Sequence, residues 1–146
     1  MPMKSAFLFG AVMFMATMAS ACPGRAAGAV ALGLPSDVAK EGVSIFTQVD
    51  SRTSEEAKTS ALAGCKSNGS QTARDLCKIV ATFQNQCVAE ALDPQNGTPG
   101  FGWAMAETSG EAKSQALANC RDTAGPTRQE ACVIPDKGLW CDGSAK

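Results

Sequence analysis

The sequence predicts an α+β fold, with one antiparallel sheet, two helices packed on one face of it, and disulfides that staple the elements together. The main observation is a repeat, because residues 54–79 align with residues 109–134 at a constant offset of 55 and without a gap. A second observation is that each copy carries two cysteines at matching positions. A third is that apolar residues follow helical spacing early in each copy and strand-like alternation late in it. We therefore predict a single duplicated domain of residues 35–146, made of two pseudo-symmetric strand–helix–strand repeats at about 43–87 and 98–141.

Each repeat contains one predicted helix. A threonine precedes each helix at the distance from a glutamate that a capping box requires. These pairs are Thr53 with Glu56 and Thr108 with Glu111. Small and apolar residues then recur on one helical face, which lets the helix approach the sheet closely. They are Ala57, Ala61, Leu62 and Cys65 in the first copy and Ala112, Ala116, Leu117 and Cys120 in the second.

Strands are predicted on both sides of each helix, where apolar residues alternate with polar ones. They cover residues 43–49, 77–83, 86–92, 101–107 and, more briefly, 132–134. The segment DPQNG at residues 93–97 is a strong turn signal, since its Asp, Pro, Asn and Gly all favour turn conformations. The repeat unit is thus predicted to be a strand, a helix and a second strand.

The first 21 residues are predicted to be a signal peptide. Lys4 precedes an apolar run at residues 6–19, and Ala19-Ser20-Ala21 has the small-residue pattern of a cleavage site. The run is too short to span a bilayer as a helix, which takes roughly 20 residues. We therefore expect an exported, periplasmic protein.

Cys22 follows the predicted cleavage site and is a candidate for lipidation, with residues 22–34 as a Gly/Ala/Pro-containing tether. The chain has seven cysteines, so a lipid on Cys22 leaves an even number for disulfides. The alternative is an ordinary secretory cleavage before an unpaired cysteine. With the lipid, the protein would be anchored to an envelope membrane.

The charge balance disfavours nucleic acid as a partner. Without Lys4 of the leader, the chain carries 12 basic and 14 acidic side chains, and the basic ones form no cluster. Nucleic acids and anionic membrane surfaces both require concentrated positive charge. Membrane contact is therefore expected only through the lipid anchor.

Three roles were open to the other six cysteines. Disulfides are favoured, because two pairs stand twelve residues apart within the copies and the two remaining cysteines would then join the repeats. The favoured pairs are Cys65 with Cys77, Cys120 with Cys132, and Cys87 with Cys141. A zinc site is disfavoured because the chain has no histidine and no close cysteine pair. Redox catalysis is disfavoured because Cys-x-x-Cys is absent.

The composition argues against an enzyme. Without histidine, the usual Ser-His and Cys-His arrangements cannot form. Paired carboxylates remain chemically open, but the acidic residues do not cluster along the sequence. Those considered are Glu55, Glu56, Asp75, Glu90, Glu107, Glu111 and Glu130. We predict no catalytic residue, no metal and no cofactor.

The paired EA-x-x-x-AL-x-x-C helices, each followed by a cysteine-bearing strand, resemble a family of small exported bacterial proteins, DUF4189, a domain of unknown function. The resemblance covers roughly residues 43–141. It implies export and a shared fold. It implies no activity and transfers no catalytic residue.

Two aromatic residues are candidates for partner binding. Phe101 and Trp103 directly follow the Gly/Pro-rich segment 96–100, and an aromatic beside a tight exposed loop is a typical place for a binding hot spot. We predict a non-enzymatic periplasmic lipoprotein that acts as a protein-binding or inhibitor (immunity-like) module, with another envelope or secreted protein as its partner. The alternative is a structural or cell-wall-associated envelope protein without a tight partner.

Overall fold

The computed structural model describes residues 27–146, which form two three-stranded antiparallel sheets and four α-helices. The strands are β1 Ala27–Gly33, β2 Ser44–Ser51, β3 Lys78–Phe83, β4 Cys87–Leu92, β5 Phe101–Ala106 and β6 Leu139–Cys141. The helices are α1 Val38–Glu41, α2 Ser54–Ser67, α3 Gln71–Asp75 and α4 Ser109–Thr123, with a 3-10 turn at Gln129–Ala131. The predicted signal peptide and Cys22 lie outside the described residues.

The strands are ordered β2-β1-β3 in the first sheet and β5-β4-β6 in the second. Helix α2 packs on one face of the first sheet, and α4 packs on one face of the second. The remaining faces meet in a buried cluster around Val30 of β1 and Val88 of β4. The predicted α+β class and its disulfide staples are confirmed. Where the sequence suggests one sheet, the structure has two, because the faces that the helices leave uncovered are apolar and bury each other.

The tether prediction is wrong for residues 27–33, which form β1, the central strand of the first sheet. All seven residues of β1 are buried. Two of its glycines are required by close packing, since a Cβ at Gly28 would overlap the ring of Phe83 and one at Gly33 would overlap the carbonyl oxygen of Ala73. The domain therefore includes a strand that the sequence analysis placed outside it.

Both predicted helix starts are confirmed by their capping bonds. The hydroxyl of Thr53 accepts a hydrogen bond from the N–H of Glu56 at 3.1 Å, and Thr108 accepts one from Glu111 at 3.3 Å. The predicted small residues contact the central strands, where alanines face alanines. In α2 they are Ala57, Ala61 and Cys65, against Ala29 and Ala31; in α4 they are Ala112, Ala116 and Cys120, against Ala89 and Ala91. Alanine on both surfaces brings each helix close to its sheet.

The disulfides join the pairs that the sequence spacing favours, Cys65–Cys77, Cys120–Cys132 and Cys87–Cys141. The first two each tie the end of a helix to the segment after it. The third was expected to join the two repeats, but it lies within the second half. β4 belongs to the second sheet, and Cys87 stands directly opposite Cys141 of β6. The repeat boundary at residue 87 is thus wrong, since β4 opens the second half.

A buried carboxylate joins the two halves beyond β6. Asp142 is fully buried and accepts hydrogen bonds from the backbone N–H groups of Asp50, at 2.7 Å, and Asn85, at 3.4 Å. Both donors have positive φ angles, 55° and 53°, so the bonds hold two uncommon backbone conformations in place. The segment after β6 therefore connects the second sheet to the end of β2 and to the turn that follows β3.

Candidate functional site

Three grooves that share lining residues meet at Phe101, at the end of the molecule where β1 and β4 finish. Their volumes are about 420, 400 and 340 Å³. The largest lies between α1 and the β4–β5 loop, and the other two extend from Leu34 towards Thr123 of α4. We call their combined lining the Phe101 surface, after the residue that lines all three; it includes Leu34, Val38, Pro99, Phe101, Trp103 and Thr123.

The two predicted binding residues contribute unequally to the Phe101 surface. Phe101 is 9% exposed and forms its floor. Trp103 is half-buried, and part of it packs in the cluster between the two sheets. Leu34 is 51% exposed and was not predicted as a site residue, because it falls in the segment predicted to be a tether. One signal for it was available in the sequence. Leu34 follows an apolar run and precedes Pro35, as a residue at the end of a strand would.

Side chains of α4 fix β5 beneath this surface. The hydroxyl of Thr123 bridges the N–H and the carbonyl oxygen of Phe101, at 2.9 and 2.8 Å. The carboxamide of Asn119 donates to the carbonyl oxygen of Trp103 at 2.8 Å. Between these two bonds, Gly102 lies so close to the backbone of α4 that a Cβ there would overlap it. The backbone below the grooves is therefore held against α4.

The β4–β5 loop, which forms one wall of the largest groove, is anchored by an ion pair. The Asp93 carboxylate accepts hydrogen bonds from Nε and Nη2 of Arg128, the second at 2.7 Å, and from the N–H of Gln95 at 3.0 Å. The Asp93 N–H donates to the carbonyl oxygen of Gly100 at 2.9 Å, which closes the loop. The hydrogen bonds from Arg128 lower the pKa of Asp93 to about 2. The loop therefore keeps a defined shape with its carboxylate ionised.

Glu90 lies between the two sheets and not in the grooves. Its carboxylate accepts a hydrogen bond from the hydroxyl of Thr47, on the first sheet, at 3.3 Å. Burial raises the pKa of Glu90 to about 7. Glu90 lies on the face of β4 opposite the alanines that contact α4, and that face is a second buried face. Among residues 27–146, the hydroxyl of Thr47 is the side-chain hydrogen-bond partner of Glu90.

Two general properties of the described part of the chain bear on function. Within residues 27–146, no helix is both long and apolar enough to cross a membrane. The same residues contain no group of three His, Cys, Asp or Glu side chains placed to hold a metal ion. All six cysteines of this part form disulfides.

Comparison with known families identifies the family of this chain. Residues 27–136 match the family described as a domain of unknown function, DUF4189. The match starts at the first residue of β1 and includes every helix and strand except β6. No curated protein and no solved structure matches the chain.

Proposed function

Because the chain belongs to the DUF4189 family, whose function is unknown, we propose from its own geometry that it is a non-enzymatic protein-binding module of the inhibitor (immunity-like) type. The observation that carries the proposal is the convergence of three grooves on Phe101, beside the exposed Leu34. Concave surfaces with apolar side chains and a polar border are where proteins concentrate binding energy. The partner proposed is another envelope or secreted protein.

The rigidity of the surface supports this proposal. The β4–β5 loop is held by Asp93 and Arg128, and Phe101 is held by Thr123. Disulfides restrain the elements behind them. A partner that binds a preformed surface loses less conformational entropy than one that must order it, so more of the contact energy appears as affinity.

The position of the surface suits a protein tethered through Cys22. Ala27 lies at one end of β1 and Leu34 directly follows the other end, and a strand of seven residues spans roughly 20 Å. We propose that Cys22 carries a lipid and holds the protein to an envelope membrane. The Phe101 surface would then lie away from the end at which the tether enters, accessible to a partner in the periplasm.

The binding proposal is tested with an exposed apolar residue and a matched control. Leu34→Asp changes the Phe101 surface, and Leu76→Asp changes a leucine of similar exposure, 46%, that lines none of the three grooves. The oxidised protein would be used to capture partners from envelope and secreted extracts, and the affinity for any recovered protein would be measured by calorimetry. We expect Leu34→Asp to weaken binding at least about tenfold, as for an interface hot spot, and Leu76→Asp to leave it unchanged.

Two outcomes would count against the proposal. Equal affinity of both variants would show that the partner binds elsewhere. Recovery of wall polymer, or of nothing, by the unchanged protein would favour the structural envelope alternative. Trp103→Ala is a poorer test, because Trp103 also packs between the sheets and its truncation is expected to lower stability.

Lipidation has its own test, independent of binding. We expect metabolic labelling with a fatty acid to label the unchanged protein and not the Cys22→Ser variant. The other six cysteines form disulfides and provide an internal control for nonspecific thiol labelling. Absence of label on the unchanged protein, or equal label on both, would contradict the anchor.

A further inference from the structure

We propose that Asn96 is a site of spontaneous deamidation, which converts its carboxamide to a carboxylate. The backbone nitrogen of Gly97 attacks Cγ of Asn96, so that an N–Cγ bond forms and the Cγ–Nδ2 bond breaks. The proton of the Gly97 N–H leaves with Nδ2 as ammonia, and a cyclic imide remains. Water then opens the imide at either carbonyl and gives aspartate or isoaspartate. The reaction requires no oxidant, reductant or cofactor.

The geometry of the β4–β5 loop leaves this reaction unhindered. Asn96 is exposed, and Gly97 has a φ of 79°, a conformation that glycine adopts readily. A Cβ built on Gly97 would meet no atom within 4 Å, so the attacking nitrogen lies in an open turn. Among residues 27–146, no hydrogen bond holds the Asn96 side chain or the Gly97 N–H. Although Thr98 bonds the carbonyl oxygen of Gln95 across this turn, no hydrogen bond on the reacting groups themselves must break before they approach each other.

The chain contains a second Asn-Gly pair that the structure protects. The Asn68 carboxamide donates to the carbonyl oxygen of Gly64 at 2.8 Å, which holds the leaving nitrogen against the end of α2. Gly69 lies against the backbone and side chain of Ser44, so movement there is restricted. The Asn-Gly pair is thus unbonded at Asn96 and restrained at Asn68. The two deamidation rates should therefore differ, although the dipeptide is the same.

The other two asparagines lack a following glycine and are also held. Asn85 accepts hydrogen bonds from the N–H and hydroxyl of Ser144, both at 3.2 Å. Asn119 lies within α4 and donates to Trp103. Deamidation is therefore expected to be concentrated at Asn96.

The product would change the Phe101 surface, because Asn96 and Gly97 line its largest groove. A new carboxylate there must be desolvated when a partner covers the groove, which costs free energy. We infer that ageing of the protein weakens binding at this surface. This consequence rests on the proposed function, whereas the chemical reaction does not.

The reaction is tested by incubating the oxidised protein at mildly alkaline pH and following each asparagine by mass spectrometry. Trypsin places Asn68 in residues 67–74 and Asn96 in residues 79–113, where fragmentation separates it from Asn85. We expect Asn96 to react roughly 10-fold faster than Asn68, because a hydrogen bond of ordinary strength must first break at Asn68. In the reduced, denatured protein the two rates should become similar. Equal rates in the folded protein, or faster reaction at Asn68, would overturn the proposal.

The consequence for binding is tested with the aspartate variants. Asn96→Asp should weaken binding of a partner recovered by capture about 2- to 5-fold, the size of one surface charge interaction, while Asn68→Asp should not. If Asn96 deamidates but neither variant changes the affinity, the modification stands and its effect on the Phe101 surface is refuted. If Asn68→Asp alone weakens binding, the location of the partner site is refuted.

Discussion

Replacement of Cys87 and Cys141 by alanine is expected to lower the free energy of unfolding by about 4 kcal/mol, more than removal of either other disulfide. The reason is loop length, since this bond joins residues 54 apart, whereas the others join residues 12 apart. For the shorter loops the chain-entropy model gives about 3 kcal/mol each. The bond also holds β6, which has only three residues, and so positions the adjacent Asp142.

The comparison between disulfides controls for the cavity that each substitution leaves. Cys65 and Cys87 are both fully buried and their partners Cys77 and Cys141 are both partly buried, so the Cys65–Cys77 variant is the matched control, whereas Cys120 and Cys132 are both buried. Urea unfolding of the three variants measures the differences directly. A loss for Cys87–Cys141 equal to or smaller than the others would show that the loop it closes is already restricted in the unfolded chain.

The second large effect is expected from pH acting on Glu90. Its pKa is about 7 in the folded protein against an ordinary value of 4.5, so the folded state holds an extra proton between these two pH values. Stability should therefore fall as pH rises from 4.5 to 7, by about 3 kcal/mol if Glu90 alone is responsible, and stay level above that range. Two charged groups on the strands of the first sheet are directed elsewhere than Glu90. The Asp50 carboxylate accepts a hydrogen bond from the N–H of Gly143, and Lys78 is exposed.

Glu90→Gln should remove this dependence, because the amide is neutral at every pH. Chemical unfolding between pH 4.5 and 8 measures it, with Glu107→Gln, an exposed glutamate just after β5, as the matched control. A Glu90→Gln variant that retained the full decline would refute the assignment.

Asp93 acts in a separate range, since its lowered pKa stabilises the fold above about pH 4 and this contribution is lost as pH falls towards 2. Together the two carboxylates predict maximal stability near pH 4 to 5.

The two long helices, α2 and α4, were predictable from sequence because their signals are local, whereas the short α1 and α3 were not predicted. Thr53 and Thr108 cap the helices that their spacing from glutamate predicts, and the alanine faces follow the helical period. The disulfide pairs were also predictable, since two of them close short loops and the third then follows by elimination. The caps and the alanine faces depend on neighbours within one or two helical turns, and two of the disulfides on residues 12 apart in the chain.

Strand β1 was not predictable, because a central strand buried on both faces shows no alternation of apolar and polar residues. Its sequence, AGAVALG, has little intrinsic strand preference, and only packing against α2 and the second sheet makes it a strand. The missing strand shifted the repeat boundary, so that β4 was assigned to the wrong half.

The candidate site was predicted only in part for a related reason. Phe101 and Trp103 were selected from the adjacent loop, but Leu34 comes to them from the end of β1, nearly 70 residues away in sequence. The burial of Glu90 on β4 depends on the packing of the other sheet, which contributes Thr47. Contacts between distant segments determine both features, and one sequence carries no direct signal for them.

The hydrogen bonds from Asn119 and Thr123 to β5 affect how molecules of this protein behave towards one another. β5 is an edge strand, and an edge with free N–H and C=O groups is a template on which a strand of another molecule can add. Here the groups of Phe101 and the carbonyl of Trp103 are already bonded within the chain. The second sheet is therefore closed to growth along this stretch, and edge-to-edge aggregation through it is disfavoured even when the protein is concentrated.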